Sequence, residues 1–329
     1  MKHSGSMLVR AVVIAAGLLA APAALAQAYA PPRTPDGRPD LQGMWTNTSM
    51  TTLERSNASL PLVLDPAQVA RMEQARLQQE VSANGRTDPD EGAPKSGANV
   101  GGYNAFWLDR GMKVGVVNGQ ARSSWITEPE DGKMPFSGVG KKRIAGILAK
   151  RNEDGPEGMN PADRCLIGSR GSGGPPMLNN IYNNTYQIVQ TPDDVMIDVE
   201  MMHDARVIRL NQTHKPAAVG QWLGDSIGRW EGDTLVVETR NWNRWHGDYE
   251  PVYLSEQAVV TERFTRTGAD ELTYAFEVND PGFYSQTWKA EMLFTTSIGP
   301  VYEFACHEGN RALHGILQGA RILEEQAKK

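Results

Sequence analysis

Two segments of the chain place a histidine beside a carboxylate, and they lie about a hundred residues apart. His203-Asp204 ends an apolar β pattern, and His307-Glu308 precedes a C-terminal helical pattern. A neutral imidazole near pH 7 can accept or donate a proton, and a carboxylate partner fixes its tautomer and raises its basicity. These residue types indicate general acid and base catalysis.

Strand alternation predicts what surrounds the first of these segments. Residues 183–210 have the pattern of a hairpin that turns at 191–194 and continues to residue 210 in one unbroken second arm. Alternation places His203 on the same face as Val207, with Arg206 on the opposite face. We therefore expect His203 to meet partners from other strands.

The predicted catalytic residues come from several parts of the chain. We expect His203 to act as the base, Glu262 or His307 as the acid, and Arg206 or Arg229 to stabilise developing negative charge. The residues expected to bind the substrate are Asp204, Trp222, Arg229, Trp288 and Glu308. Such groups around a cavity suit a small aromatic, polycyclic or sugar-like molecule. The expected reaction is a lyase, isomerase or hydrolase step.

Each of these residues also has a structural explanation. His203 can be a core histidine bonded to a backbone carbonyl, and His307 can help to cap the last helix. Asp204 and Arg206 can form an ordinary surface ion pair. Glu262 can belong to a solvated strand face. These alternatives remain open at the level of sequence.

The usual catalytic and cofactor-binding motifs are missing from the sequence. It has no nucleophile elbow, zinc-protease motif, Cys-x-x-Cys or dinucleotide fingerprint. The glycine-rich run 171–174 lacks the lysine and helix start that phosphate binding needs. His203, His307 and either Glu303 or Glu308 could supply a metal site, but their spacing is not that of recognisable sites. We therefore predict no organic cofactor, with a metal ion as the less favoured alternative.

The first 26 residues have the features of a secretory signal peptide. Lys2 and Arg10 precede an apolar run that ends at Leu19, and Ala24-Leu25-Ala26 offers a cleavage site. A periplasmic or secreted protein is expected, since no later run is long enough to span a membrane. The net charge of −6 and the lack of a basic run argue against a nucleic-acid partner. Nothing in the sequence indicates an oligomeric state.

The chain has two cysteines, Cys165 and Cys306. An even number in an oxidising compartment favours a disulfide. In the chain-entropy model, closing such a long loop would contribute about 4 to 5 kcal/mol. Two separate buried thiols are the alternative.

Closely spaced hairpin signals indicate a mainly β fold. Strand pairs are predicted within 221–242, within 259–278 and within 286–306, and the last of these pairs Gln286–Thr295 with Pro300–Cys306. Successive hairpins are typical of an up-and-down antiparallel barrel of lipocalin-like type, or of a sandwich. The predicted parts of the chain are an extended arm at 27–40 and a single domain at 41–329 that contains a helix at 65–83, a loop at 86–102, a helix and loop at 141–176 and a C-terminal helix at 311–327.

A short motif near the start of this domain supports the barrel. Gly43-x-Trp45 resembles the entry strand of lipocalin-like barrels, in which the Trp closes one end and an Arg from a late strand stacks on it. A Trp that caps any other β core is the alternative.

Several longer runs resemble a family of exported proteins from soil and aquatic bacteria whose members are usually labelled hypothetical. The runs with the strongest resemblance are His203-Asp204-Ala205-Arg206, residues 222–239, residues 262–266 and residues 305–310. The resemblance covers most of the chain after residue 26. It implies export and, by inference for that family, a lipocalin-like fold, but no particular activity.

Two other functions fit the same sequence. A lipocalin-like carrier would hold an apolar ligand in a lumen lined by Met, Val, Phe and Trp, with its histidines bonded to the backbone. A structural protein of the cell envelope is a weaker alternative. Polar groups that converge on a cavity would favour the enzyme.

Overall fold

Nine strands pair edge to edge into a closed barrel. The computed structural model describes residues 29–57, 59–84, 108–151, 154–168, 171–243 and 251–328. The strands are β1 (Gly43–Thr46), β2 (Val116–Val117), β3 (Gln120–Ala121), β4 (Ile126–Glu128), β5 (Thr185–Gln190), β6 (Asp194–Val199), β7 (Asp204–Leu210), β8 (Asp225–Glu231), β9 (Thr234–Arg240), β10 (Val259–Gly268), β11 (Glu271–Asn279) and β12 (Trp288–Thr296). The barrel runs from β1 through β5 to β12, and β12 pairs with β1 to close it. The mainly β barrel is confirmed, and the sandwich alternative is wrong.

The barrel is antiparallel except for one pair of strands. A ring with an odd number of strands cannot consist of antiparallel pairs alone. Here β7 and β8 are parallel, with Ile208–Leu210 beside Ser226–Gly228. The connection 211–224 therefore crosses from one end of the barrel to the other. Strand β4 adds to the edge of β12, and β2 pairs with β3 in a separate hairpin.

The two ends of the barrel differ in the length of their connections. At one end, which we call the hairpin end, the connections are 191–193, 232–233 and 269–270. At the other, which we call the loop end, the connections are 129–184, 200–203, 241–258 and 280–287. Functional residues are most often carried by long loops on a rigid scaffold, so the loop end is the place to look for a site.

Large side chains fill the interior of the barrel. The largest that are fully buried on its strands are Trp45, Tyr186, Phe264, Tyr274, Trp288 and Phe294. The rings of Phe264 and Tyr274 lie 5.0 Å apart, and those of Tyr274 and Phe294 lie 5.3 Å apart. The lumen, which we predicted to be the ligand pocket, is occupied by these side chains along the described strands.

The predicted pairing of a tryptophan with a late arginine is confirmed. The guanidinium of Arg266, on β10, lies 5.4 Å from the ring centroid of Trp45. Arg266 also donates to the carbonyl oxygens of Asp40 at 2.9 Å and Ala269 at 2.7 Å. The Trp45 indole donates to the carbonyl of Leu41 at 2.9 Å. These contacts fasten the arm before β1 to the hairpin end.

Replacing Arg266 with Gln is expected to lower the free energy of unfolding by about 1 to 2 kcal/mol, because it removes a cation–π contact and two hydrogen bonds. Urea denaturation followed by tryptophan fluorescence measures this change. Arg38→Gln, an exposed substitution in the same arm, serves as the control and should leave stability unchanged. Equal stability of both variants would show that the stacked pair contributes nothing.

Three helices lie among the described residues: α1 (Pro66–Ala83), α2 (Gly138–Lys150) and α3 (Ala312–Ala327). Helix α1 begins with a capping box, in which the Asp65 carboxylate accepts from the Gln68 backbone at 2.7 Å. Helix α2 begins one turn before the predicted Lys141, because the Ser137 hydroxyl caps it. None of the helices in these ranges is both long and apolar enough to cross a membrane.

The predicted disulfide is confirmed. Cys165 and Cys306 are bonded, with their Cα atoms 5.9 Å apart. The bond fastens the segment before α3 to the long connection between β4 and β5. The described residues from Pro31 onward form one compact unit.

Two predicted strands differ from those observed. Pro300–Cys306 has no strand structure, because β1 instead of this segment pairs beside β12 and closes the barrel. The unbroken second arm predicted within 183–210 is two strands, β6 and β7. The signal peptide at 1–26 and the loop at 86–102 lie outside the described residues.

Candidate functional site

A strained turn joins β6 to β7 at the loop end. Met202 and His203 both have positive φ values, 66° and 53°. This left-handed conformation costs a non-glycine residue roughly 1 to 2 kcal/mol, and it is found most often at functional sites. The buried Glu200 carboxylate holds the turn in place, since it accepts hydrogen bonds from the backbone of Thr185 at 3.1 Å and of Tyr302 at 3.3 Å.

The turn reverses the alternation that the sequence predicted. Val207 points outward and is 53% exposed, whereas Arg206 points into the barrel and is 2% exposed. The prediction that put Val207 on the apolar face is wrong, because it continued the strand pattern through residues that form a turn.

Asp204 follows this turn, and a glycine-rich loop encloses its carboxyl group. The backbone of Gly168 donates to Asp204 Oδ2 at 2.6 Å. A β-carbon at Gly173 would lie 2.7 Å from the same oxygen, so a larger residue there would displace the carboxyl group. Burial raises the pKa of Asp204 to about 6, although the Gly168 hydrogen bond and the charge of His203 lower it in part. A carboxyl group with this pKa can exchange protons near neutral pH. The surface ion pair considered for Asp204 and Arg206 is absent from the described part of the chain, because Arg206 points into the barrel.

His203 is exposed next to this carboxyl group. The charge of a protonated His203 acts on Asp204, so the two groups are electrostatically coupled. His307 and Glu308 are also exposed, and no hydrogen bond joins His307 to His203 in the described chain. The two predicted segments do adjoin, through Tyr302 and Glu200. Both imidazoles are exposed, so neither lies inside the barrel.

Arg206 and Glu262, both predicted to be catalytic, instead pair with each other in the lumen. Arg206 donates to the two carboxylate oxygens of Glu262 at 3.0 and 2.5 Å, and both side chains are almost completely buried. The Tyr274 hydroxyl donates to Glu262 at 2.7 Å. Burial and the charge of Glu262 hold the pKa of Tyr274 well above its usual value, so this hydroxyl keeps its proton. The solvated strand face considered for Glu262 is wrong.

The same buried network reaches the glycine-rich loop. The Tyr274 hydroxyl accepts a hydrogen bond from the backbone of Met177 at 3.0 Å. Tyr186 donates to the carbonyl of Ser172 at 3.0 Å. Tyr186 and Tyr274 thus hold the loop that encloses Asp204. Glu262 accepts a hydrogen bond from Tyr274 and pairs with Arg206, so the ion pair supports this loop indirectly.

The remaining predicted substrate-binding residues do not gather around Asp204. Trp288 is buried among aromatic rings, with its ring 5.6 Å from that of Phe276. Arg229 is exposed and pairs with Glu231 on the outer face. Trp222 lines a different cavity, of about 410 Å³, on the outer side of β7 and β8. Glu308 is exposed near the disulfide.

His214, which we did not predict, lies next to the cavity that Trp222 lines. Its ring nitrogens lie 3.0 Å from Asp225 and 3.1 Å from Glu238. Burial raises the pKa of Asp225, but hydrogen bonds from the Lys215 backbone, His214 and Arg209 lower it overall. Both nitrogens of His214 are thus engaged by the protein, so His214 braces the connection 211–224 and has no free nitrogen for a substrate.

The glycine-rich loop around Asp204 was also missed. Residues 171–174 were assessed only as a phosphate-binding motif. Their lack of side chains instead makes room for a carboxyl group that lies 31 residues further along the chain. No local pattern in the sequence carries that information, because the approach exists only in the folded barrel.

Within the described ranges, no three His, Cys, Asp or Glu side chains come close enough together to hold a metal ion. The set of His203, His307 and Glu303 or Glu308 is therefore not assembled in that part of the chain. No protein-family model matches the sequence, and neither a curated protein nor a solved structure is significantly similar to it.

Proposed function

We propose that this protein is an exported enzyme that transfers protons to and from a small organic molecule without an organic cofactor. Asp204 is the principal acid and base, and His203 is the second proton-transfer group. The observation that carries the proposal is the Asp204 carboxyl group, whose pKa is about 6 and which is fixed by Gly168 beside a strained turn.

The chemistry follows from the protonation state of Asp204. Near pH 6 the carboxyl group is protonated in about half of the molecules, since its pKa is about 6. The ionised form accepts a proton from an activated carbon or oxygen, and the neutral form returns one. Such transfers are the central step of isomerases, of lyases and of many hydrolases. The exposed His203 can exchange the proton with solvent or act on a second substrate atom.

Export is part of the same proposal. The disulfide between Cys165 and Cys306 is stable in oxidising compartments. The resemblance to exported bacterial proteins and the signal-like first 26 residues support the same location.

A carrier with an apolar ligand in its lumen is the alternative from another functional class. It needs free volume inside the barrel. The inner faces of the described strands are occupied by large aromatic side chains and by the ion pair of Arg206 with Glu262. This filling favours the enzyme over the carrier.

Proton transfer can be tested before the substrate is known. The protein is incubated in D₂O with a panel of small carbonyl, aromatic and sugar compounds, and deuterium incorporation is followed by NMR. We expect at least one compound to exchange faster with the wild type, and His203→Gln to lower that rate about tenfold or more with almost no loss of stability, because His203 is exposed. Asp193→Asn, in an exposed turn at the hairpin end, is the control and should exchange as the wild type does. Full activity of a folded His203→Gln variant would remove His203 from the mechanism.

A further inference from the structure

A cavity separate from the one that Trp222 lines opens at the loop end, away from Asp204. It has a volume of about 390 Å³ and lies between α1, the segment that follows β1 and the segment that precedes β5. Pockets of this size hold small organic molecules. Helix α1 contributes Arg76 to the lining, and Arg110 contributes a second guanidinium group.

The charges in this cavity are not balanced. Arg76 pairs with Glu80 on the same helix, but its Nε is buried and has no hydrogen-bond partner among the described residues. Arg110 has neither an ion pair nor a hydrogen bond in the described part of the chain, and it is exposed. An unsatisfied buried donor is costly, and an arginine presents its donors in a planar fork that matches a carboxylate. The two guanidinium groups have one carboxylate partner, Glu80, so one positive charge is left unpaired. This charge balance favours a singly charged anion.

The rest of the lining combines polar side chains, among them Ser49 and Thr52, with apolar ones. Leu53, Leu178 and Ile181 line the cavity, and Ile181 is 39% exposed. A strongly hydrated anion such as phosphate would gain little from these side chains. An organic acid would place its hydrocarbon part against them and its charged group at the arginines.

The walls are held in place without a ligand. The Asn179 side chain donates to the carbonyls of Ser49 at 3.0 Å and Thr51 at 3.3 Å, and it accepts from the Trp125 indole at 2.9 Å. A cavity fixed in this way loses little conformational entropy on binding, which favours affinity.

From these observations we infer that the cavity between α1 and residues 49–53 and 178–181 binds a small organic monocarboxylate with an apolar body. The carboxylate pairs with Arg110, next to the positive charge of Arg76, and the apolar body packs against Leu178 and Ile181. This site does not depend on the proton transfer proposed for Asp204, since it is measured by equilibrium binding alone.

Matched acid and amide ligands test the inference. Calorimetric titration of the full chain with straight-chain and phenyl-substituted monocarboxylates, each paired with its neutral amide, separates the charge from the apolar contact. At least one acid should bind, and its amide should bind about tenfold more weakly or worse. The inference fails if no acid in the series binds, or if an acid and its amide bind equally well.

Two substitutions locate the site. Arg110→Gln, an exposed change that should preserve the fold, is expected to weaken acid binding about tenfold and to leave amide binding unchanged. Arg71→Gln lies on the same helix as Arg76 but outside the cavity and should have no effect. An equal loss of acid binding in both variants would show a general charge effect and would overturn the assignment. Unchanged acid binding in Arg110→Gln would overturn it as well.

Discussion

Replacing Asp204 with Asn is expected to abolish the proton transfer and, at neutral pH, to make the protein more stable. Asn keeps an oxygen that can accept the Gly168 hydrogen bond, but it can neither take up nor release a proton. It also removes a buried negative charge. A catalytic carboxyl group with a raised pKa lowers the free energy of unfolding at neutral pH, where it is ionised. A neutral side chain in its place removes this loss.

The pH dependence of stability follows from the direction of the pKa shift. Burial raises the pKa of Asp204 from 3.8 to about 6, so the folded protein binds more protons than the unfolded chain between these values. Stability from this group is fully present below about pH 3.8 and is lost as the pH rises through about 6. This rise of the pKa from 3.8 to about 6 corresponds to about 3 kcal/mol.

Urea unfolding of the two proteins across this pH range measures the difference. Asp204→Asn and the wild type should be about equally stable near pH 4, and the variant should gain up to about 3 kcal/mol by pH 7. Asp193→Asn, an exposed substitution, should follow the wild type at every pH. A difference between Asp204→Asn and the wild type that does not change with pH would mean that the pKa of Asp204 is not raised.

Breaking the ion pair inside the barrel is the second substitution with a large expected effect. Glu262→Gln should lower the free energy of unfolding by about 3 to 5 kcal/mol, because it leaves the charge of Arg206 buried without a counter-charge. The double variant Arg206→Met with Glu262→Gln should recover most of this loss, since it removes both charges while the introduced amide oxygen still accepts from Tyr274. Denaturant unfolding of the three proteins gives both values.

The same variants separate a structural role of the ion pair from a catalytic one. Arg263→Gln, an exposed substitution next to Glu262 on β10, should have almost no effect on stability and serves as the control. If the pair only supports the glycine-rich loop, the folded double variant should keep proton-transfer activity. A stable double variant without activity would return Glu262 or Arg206 to the mechanism.

Much of the fold could be predicted because its signals are local. Gly232 and Asp233 mark one hairpin turn, and Gly268 and Asp270 mark another. The spacing of those hairpins indicates a barrel or a sandwich. The stacking of Arg266 on Trp45 followed from a resemblance at three residues, and the disulfide followed from an even cysteine count.

The candidate site was predicted less well, for two physical reasons. The turn at Met201–His203 contains no Gly, Pro, Asn or Asp, so nothing in the sequence interrupts the alternating pattern there. Continuing that pattern placed Arg206 outside and Val207 inside, the reverse of what is observed. The environment of Asp204 depends on Gly168 and Gly173, which approach it only through the long connection between β4 and β5.

Asp204 must titrate near neutral pH to transfer protons as proposed. NMR titration of the carboxyl carbon of Asp204 in ¹³C-labelled protein, assigned with Asp204→Asn, measures this directly. We expect a midpoint near pH 6, because the carboxyl group is buried and accepts one hydrogen bond from Gly168. A midpoint near 3.8, the ordinary value for an aspartate, would contradict the proposed role of Asp204.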